Sequence, residues 1–304
     1  MFCFRTGWCD KRITDADWNI EGMHIDMKLD KRPEGCPVKV MVGTMGTAQV
    51  PVVFKVFNKS LFTKFDEIRS LLREIDIHRS LDHPNIIAMY GVLEDKEHIY
   101  IVMERGQYDM FELVRKAGLM NESMFIKDVF IPIVDSLRYL HSQNIAHLDI
   151  KPENIIYGFD QRWKLADFGL SLNYTTDKPH RRIGTLQYMS PEAVNDPTDI
   201  SFKSDMWALG ILYCEIVHGY HPFGISPREH FNDHRRKLSR PPSFQKGSTY
   251  PYTFKVVKSC LELRPNNRPN AEEIIRNSAM LVRNSPGNFL ERIERRTLQH
   301  VPTF

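Results

Sequence analysis

The sequence predicts an α+β fold in which a small antiparallel β-sheet comes first and mainly helical structure follows. Three observations predict it. Residues 18–57 alternate and break like strands: Ile25, Met27 and Leu29, then Val38, Val40 and Val42, then Val50 through Phe57 around Pro51. Phe65, Ile68, Leu71, Leu72 and Ile75 then repeat at helical spacing, which gives one helix after the sheet. Further on, Ile126, Val129, Phe130, Ile133, Val134, Leu137 and Leu140 mark a longer helix from Phe125 to His141, with Pro132 placed to kink it.

Composition narrows the class before any motif is used. At 304 residues, 42% hydrophobic and 26% charged, the chain has the balance of an ordinary globular protein and not of a disordered or fibrous one. The net charge of +3 is spread along the chain, so no basic arm argues for a nucleic-acid partner. No apolar run approaches the roughly 18 residues of a membrane span. A secretory signal is not expected at the N-terminus, and the chain does not begin Met-Gly as myristoylation requires. Cys3, Cys9, Cys36, Cys214 and Cys260 are odd in number and unevenly spaced, which fits free thiols in cytoplasm or nucleus. Cys214, His218 and His221 invite a zinc reading, but nothing nearby supplies a fourth ligand.

Within the strand Val52-Val53-Phe54-Lys55-Val56-Phe57, Lys55 is a lone cation in an apolar run, costly to bury unless paired. By itself it reads as a solvated outward residue. Glu74 changes that, because it stands on the following helix one turn beyond Leu71. After the helix, His83-Pro84-Asn85-Ile86-Ile87 and Ile99 to Gly106 read as two further strands, the second running into a polar turn at 104–109. The Phe125 to His141 helix then delivers the chain to His147-Leu148-Asp149-Ile150-Lys151-Pro152-Glu153-Asn154. There a carboxylate, a lysine and an amide stand at the spacings of a phosphoryl-transfer site. Asp167-Phe168-Gly169 follows in order, 13 residues beyond Asn154.

From these motifs the chain resembles the eukaryotic protein kinase family, from about Trp18 to about Asn277. The resemblance implies a two-lobed kinase fold: a small antiparallel β-sheet lobe with one key helix (18–103), a hinge (104–109) and a larger, mainly helical lobe (110–277). Residues 1–17 would be an N-terminal extension and 278–304 a C-terminal tail. It implies transfer of the ATP γ-phosphoryl, with Mg²⁺, to protein hydroxyls. Asp149 would be the proton acceptor, Lys151 the γ-phosphate contact, and Asn154 and Asp167 the magnesium ligands, hard oxygen donors of the kind Mg²⁺ prefers. Lys55 would hold the α- and β-phosphates, itself held by Glu74. Val40, Val53, Met103 and Ile156 would line the adenine pocket, the backbone of Glu104 to Gly106 would bond the adenine edge, and Asp109 would reach the ribose or a basic substrate residue. Of the three glycines of the family's phosphate loop, only Gly35 is present; Pro33 and Val38 replace the others. A stiffer loop and weaker nucleotide binding are expected.

Three departures and one likeness refine this reading. His147 and Phe168 would stack in an apolar column with His78, whose polar ring costs roughly 1–3 kcal/mol if its N–H finds no partner. Leu72 to His78 and His83 to Gly91 are similar to the Aurora branch of mitotic Ser/Thr kinases, which implies an activating protein partner at the small lobe. Leu148 stands where most of the family has an Arg that receives an activation-loop phosphate, and Arg181 stands where the Aurora branch has its activating Thr. Activity without activation-loop phosphorylation is therefore expected, with Thr175 and Thr176 as the positions that test it. Lys151 together with Thr185 resembles the Ser/Thr-specific pattern. Glu153, Asp109 and Glu215 fall where arginine-directed members hold basic residues upstream of the target, while Leu186 and Met189 would line an apolar pocket just after it.

The remaining landmarks read as scaffold or surface. Asp205, Trp207 and Gly210 are expected to support the large lobe, Asp205 by bracing the catalytic-loop backbone, and Arg268 to form a buried pair with Glu192. His234 to Ser243 reads as a solvated basic loop. The tail from Leu281 to Phe304, with Phe289, Leu290, Ile293 and Leu298 among arginines, reads most plainly as a helix packed on the large lobe, with an amphipathic partner-binding or membrane-surface helix as the alternative. The expected protein is a monomeric Ser/Thr protein kinase acting on protein substrates. The rival from another class is a pseudokinase that grips nucleotide or serves as a scaffold; a metabolite kinase is disfavoured because Gly184 to Glu192 looks built to seat an extended peptide.

Overall fold

β-branched and aromatic alternation lays down the first sheet. In the computed structural model, which describes residues 3–28, 36–226, 228–244 and 250–281, the sheet holds β1 (Phe4–Arg5), β2 (Met23–Lys28), β3 (Val38–Met45), β4 (Val50–Asn58), β5 (Met89–Glu94) and β6 (His98–Glu104). Their spatial order is β1-β5-β6-β4-β3-β2, every neighbour antiparallel. The N-terminal stretch contributes the edge strand β1, and its Cys9 and Ile13 lie in one apolar cluster with Val52, Phe54 and Val102. Leu29, Pro33 and Gly35 lie outside the described residues.

The strand expected over His83–Ile87 does not form; β5 begins at Met89. Pro84 has no N–H to give a ladder, and Asn85 N–H turns back onto His83 Nδ1 at 3.1 Å. The stretch instead bridges to the large lobe, Leu165 N–H donating to Asn85 O at 2.8 Å and Ile87 N–H to Leu165 O at 2.9 Å. β6 stops at Glu104, and Gly106–Asp109 becomes β7 of a separate sheet with β9 (Ile155–Gly158) and β10 (Trp163–Leu165).

Helix α1 (Phe65–Arg79) carries the expected periodicity but buries only part of it. Leu71, Glu74, Ile75, Ile77 and His78 go inside, while Phe65, Ile68 and Leu72 remain exposed. The large lobe follows as α2 (Met110–Ala117), α3 (Glu122–Met124), a π-helical stretch (Phe125–Phe130), α4 (Ile131–Ser142), β8 (Ile145–Ala146), β11 (Leu172–Asn173), α5 (Pro191–Asn195), α6 (Phe202–His218), α7 (Phe231–Leu238), α8 (Pro251–Cys260), α9 (Ala271–Arg276) and α10 (Ser278–Leu281). The strain of Pro132 is taken up by the π turn just before it: Pro132 cannot donate to the preceding turn, and Ile131 N–H bonds Ile126 O instead. α6 is buried nearly all round from Ser204 to Cys214 and forms the spine of the lobe's core. Trp207 stacks on Phe223 with centroids 5.0 Å apart.

Half of the expected basic loop is helical. Phe231, His234 and Leu238 turn one face inward, with His234 and Leu238 buried, and the cations point out to pair with Asp233 and Glu229. The side chains of the rejected zinc trio are engaged elsewhere: His221 Nε2 bonds Gln187 O at 2.9 Å, His218 stacks on Tyr220, and burial pushes the Cys214 thiol up to about 12. The helix expected for the tail beyond Leu281 lies outside the described residues. Among those described, no helix is long and apolar enough to cross a membrane.

Candidate active site

Three strands and a helix bring the small-lobe residues together. In β4, Lys55 lies directly opposite Val40 of β3, and Val53 opposite Met103 of β6, so all four share one face of the sheet. The three apolar residues are half-buried. Ile156 reaches the same region from β9, close enough that a Cβ on Gly106 would lie 2.1 Å from its Cγ2. Lys55 Nζ contacts Glu74 Oε1 of α1 at 2.5 Å and Asp167 Oδ1 at 2.7 Å. Burial alone would pull the Lys55 ammonium down, but Asp167 and Glu74 outweigh it and hold it charged. In return, although burial raises it, the Asp167 carboxyl is held far below its ordinary range, chiefly by Lys55.

The Asp167 side chain remains 41% exposed, and its backbone sits at φ +64°, a strained value for a non-glycine. Gly169 gives room beside it. A Cβ there would stand 3.1 Å from Glu74 Oε2, 3.2 Å from Lys55 Nζ and 3.3 Å from Asp167 Oδ1, tight enough that the charged cluster would have to shift by a few tenths of an ångström.

On the large-lobe side, Asp149 is the hub. Its Oδ2 accepts from Lys151 Nζ at 2.6 Å and Asn154 Nδ2 at 3.0 Å; its Oδ1 accepts from Thr185 Oγ1 at 2.7 Å and Thr185 N–H at 3.1 Å. Lys151 Nζ also donates to Thr185 Oγ1 at 3.0 Å. Asn154 Nδ2 donates again to Asp149 O at 2.8 Å, which leaves its carbonyl oxygen as the donor atom it can offer a cation. Asn154 Oδ1 and the exposed part of the Asp167 carboxylate are hard oxygens, and such a pair with phosphate oxygens fits Mg²⁺.

The loop carrying Asp149 is held from behind. Asp205 of α6 accepts from His147 N–H at 3.0 Å and Leu148 N–H at 2.7 Å, and His141 Nε2 lies 2.9 Å from it. Leu148 has φ +66°, a strained bend fixed by these bonds. Gly184, at φ +111°, lies so close to Leu148 O that a Cβ would stand 2.7 Å away. His78, Phe168 and His147 line up in a column, His78 tilted on Phe168 and His147 edge-on to it, with centroids 4.7 and 5.2 Å apart. The polar ring of His78 does find a partner, Ile87 O at 2.7 Å, so the expected penalty does not arise. Burial lowers its pKa to about 4, leaving the ring neutral.

This arrangement of a buried Lys–Glu pair, an exposed Asp beside it and an Asp–Lys–Asn–Thr network agrees with the comparison of the chain with known families, in which the protein kinase domain matches residues 34–280. The chain belongs to the protein kinase family. It is 37% identical over 177 residues to an Aurora kinase of Candida glabrata, a match covering 58% of this chain and 49% of that protein. It is 31% identical over 233 residues to an Aurora kinase of Schizosaccharomyces pombe, covering 74% of this chain and 62% of that protein. A third Aurora kinase, from Encephalitozoon cuniculi, is 38% identical over 178 residues, covering 57% and 63%. The chain thus spans about half to two thirds of the length of these curated relatives.

The other expected kinase residues fall into two groups. Leu186 and Met189 flank a short 3₁₀ turn, half-buried against the large-lobe core. Glu153 is exposed, and Glu215 lies near it, raised by burial and by the Glu153 charge while accepting Tyr188 O–H at 2.5 Å. Asp109 and Glu104 have further duties that the sequence reading missed. Asp109 Oδ1 caps α2 by accepting Glu112 N–H at 2.7 Å, and the Asp109-x-x-Glu112 spacing was the available signal. Glu104 pairs with Lys164 and gives its N–H to Ala88 O at 2.8 Å, so only its carbonyl is left for an adenine edge. Leu148 packs with Leu172, Ile183, Ala193 and Ile200. Arg268 grips Glu192 in two bonds of 2.6 and 2.7 Å.

Proposed function

We propose that the chain is an ATP-dependent Ser/Thr protein kinase. The observation that carries this reading is the Asp149 network, in which one carboxylate meets the lysine, the amide and the threonine that phosphoryl transfer to a hydroxyl requires. Bound nucleotide and Mg²⁺ supply the phosphoryl group and the charge neutralisation. Asn154 and Asp167 would hold the metal, and the third N–H of Lys55 is left to meet a phosphate oxygen. Asp149 takes the proton of the attacking hydroxyl as its oxygen bonds to phosphorus and the bond to the ADP oxygen breaks. Lys151, already on Asp149 and Thr185, positions the group and offsets negative charge.

The finer parts of the reading rest on particular residues. Exposed Glu153 beside Glu215 supports a preference for basic residues upstream of the target, and half-buried Leu186 and Met189 support an apolar residue after it. The burial of Leu148 in an apolar cluster, with exposed Arg181 downstream, supports activity without activation-loop phosphate. Exposed Phe65, Ile68 and Leu72 support a protein partner on the small lobe.

Incubation with γ-labelled ATP, Mg²⁺ and a mixed peptide library tests the proposal. Label on Ser and Thr peptides, enriched where Arg lies upstream, is the expected result. Nucleotide binding without any transfer would favour the binding-module alternative.

A further inference from the structure

Beyond the catalytic network, one buried charge ties the segment after Asp167 to helix α1. Asp177 is buried, and its Oδ1 lies 3.6 Å from Arg69 Nη2 and 3.8 Å from Arg73 Nη1. Arg73 is the neighbour of Glu74, which holds Lys55. The Arg73 side chain is 13% exposed and that of Arg69 56%. Arg73 Nε is buried with no hydrogen-bond partner among the described residues.

Asp177 is fixed from its own side. Asn173, in β11 against β8 just before the catalytic loop, accepts Asp177 N–H at 2.7 Å and Thr176 N–H at 3.0 Å, and its side chain accepts Thr175 N–H at 2.9 Å. Thr176 Oγ1 donates to Asp177 Oδ2 at 3.0 Å. Arg181 adds a third guanidinium: with Arg69 it opposes the charge on Arg73, which burial also disfavours and Asp177 supports. The Asp177 carboxylate therefore meets two cations of α1, one of which, Arg73, is also opposed by Arg181. Without it, like charges would face each other across the junction between this segment and α1.

Resting on the kinase reading above, we propose that Asp177 is a positioning residue: a permanent negative charge that clamps α1 through Arg73 and Arg69, so that Glu74 stays on Lys55 without any added phosphate. The clamp and the apolar seat of Leu148 form one device. A receiving cation has been replaced by packing at the catalytic loop, and the negative charge is built into the chain.

Asp177→Asn, which keeps the shape and removes the charge, is expected to lower kcat about tenfold per folded molecule through the population of the competent arrangement, with peptide KM unchanged and the melting temperature lowered but still above that of the assay. Asp177→Glu keeps kcat within a few-fold. Arg73→Gln shows a loss no larger than that, and combining it with Asp177→Asn adds nothing further, because the contact it removes is one of the two that Asp177→Asn already removes. Should Asp177→Asn melt below assay temperature, the exchanged pair of Arg73→Asp with Asp177→Arg takes its place and recovers kcat over Arg73→Asp alone. Wild-type kcat in Asp177→Asn, fully additive losses, or an exchanged pair no better than Arg73→Asp overturns the clamp. A wild-type chain with no transfer at all overturns the kinase reading and the clamp with it, so the two failures are told apart.

Discussion

Two buried carboxylate–cation pairs, Lys55–Glu74 in the cleft and Arg268–Glu192 in the large lobe, close at nearly equal distances, 2.5 Å against 2.6 and 2.7 Å. Their surroundings differ. Arg268 is saturated: it also donates to the carbonyls of Glu262, Lys203 and Leu263, and it lies 4.8 Å from the Trp207 ring centroid. Lys55 shares its charge with Asp167, which faces the cleft, and keeps donor capacity in hand. The same ionic chemistry holds the fold where every valence is filled and leaves a donor for the proposed reaction where one stays open.

The sharpest way to break this contrast is Glu192→Ala, which leaves Arg268 buried without its partner. A loss of about 3–5 kcal/mol is expected, with transfer per folded molecule unchanged; urea unfolding and a rate normalised to folded protein check it. Next in size is a pH effect that His78 shares with the large-lobe histidines His221 and His234, all three lowered by burial. His78 has its folded pKa lowered to about 4 from 6.5, so the unfolded chain binds the proton more readily. Stability is full above pH 6.5 and falls as pH drops towards 4, by on the order of 3 kcal/mol when titration is complete. Urea midpoints at pH 7.5 and 5 are expected to differ less in His78→Leu than in the wild type.

Glu74→Gln sharpens the other half of the comparison. Lys55 keeps Asp167, so the fold survives, while transfer is expected to fall about tenfold or more as the lysine loses its anchor; melting curves and initial rates measured together separate the two. Smallest is Glu153→Gln. Its carboxylate is exposed, so only a few-fold loss is expected for peptides with upstream Arg and none for peptides without it, as paired kcat/KM values would report.

How much of this was legible in the sequence follows from how local each feature is. The strands with clean alternation, and the contiguous run from His147 to Asn154, fixed sheet and catalytic loop together, since neighbours in sequence are neighbours in space. The Lys55–Glu74 pair was legible because strand and helix each have a period. The strand at Met89 was misplaced because Pro84 removes a donor where the apolar run begins. β1 was missed because two residues have no period, and the basic helix α7 because its three inward residues hide among cations. Asp177 gave no signal at all. Its partners, Arg69 and Arg73, lie more than a hundred residues earlier, and only folding reveals that they meet.

Single-turnover transfer from γ-labelled ATP with Mg²⁺, comparing wild type with Asp149→Asn, tests the central claim most directly. The substitution keeps the shape of the hub and removes the proposed proton acceptor. The account predicts a fall of about 10²–10⁴-fold with the melting temperature retained. Equal transfer by the two proteins, or none by either while nucleotide binds, would contradict it.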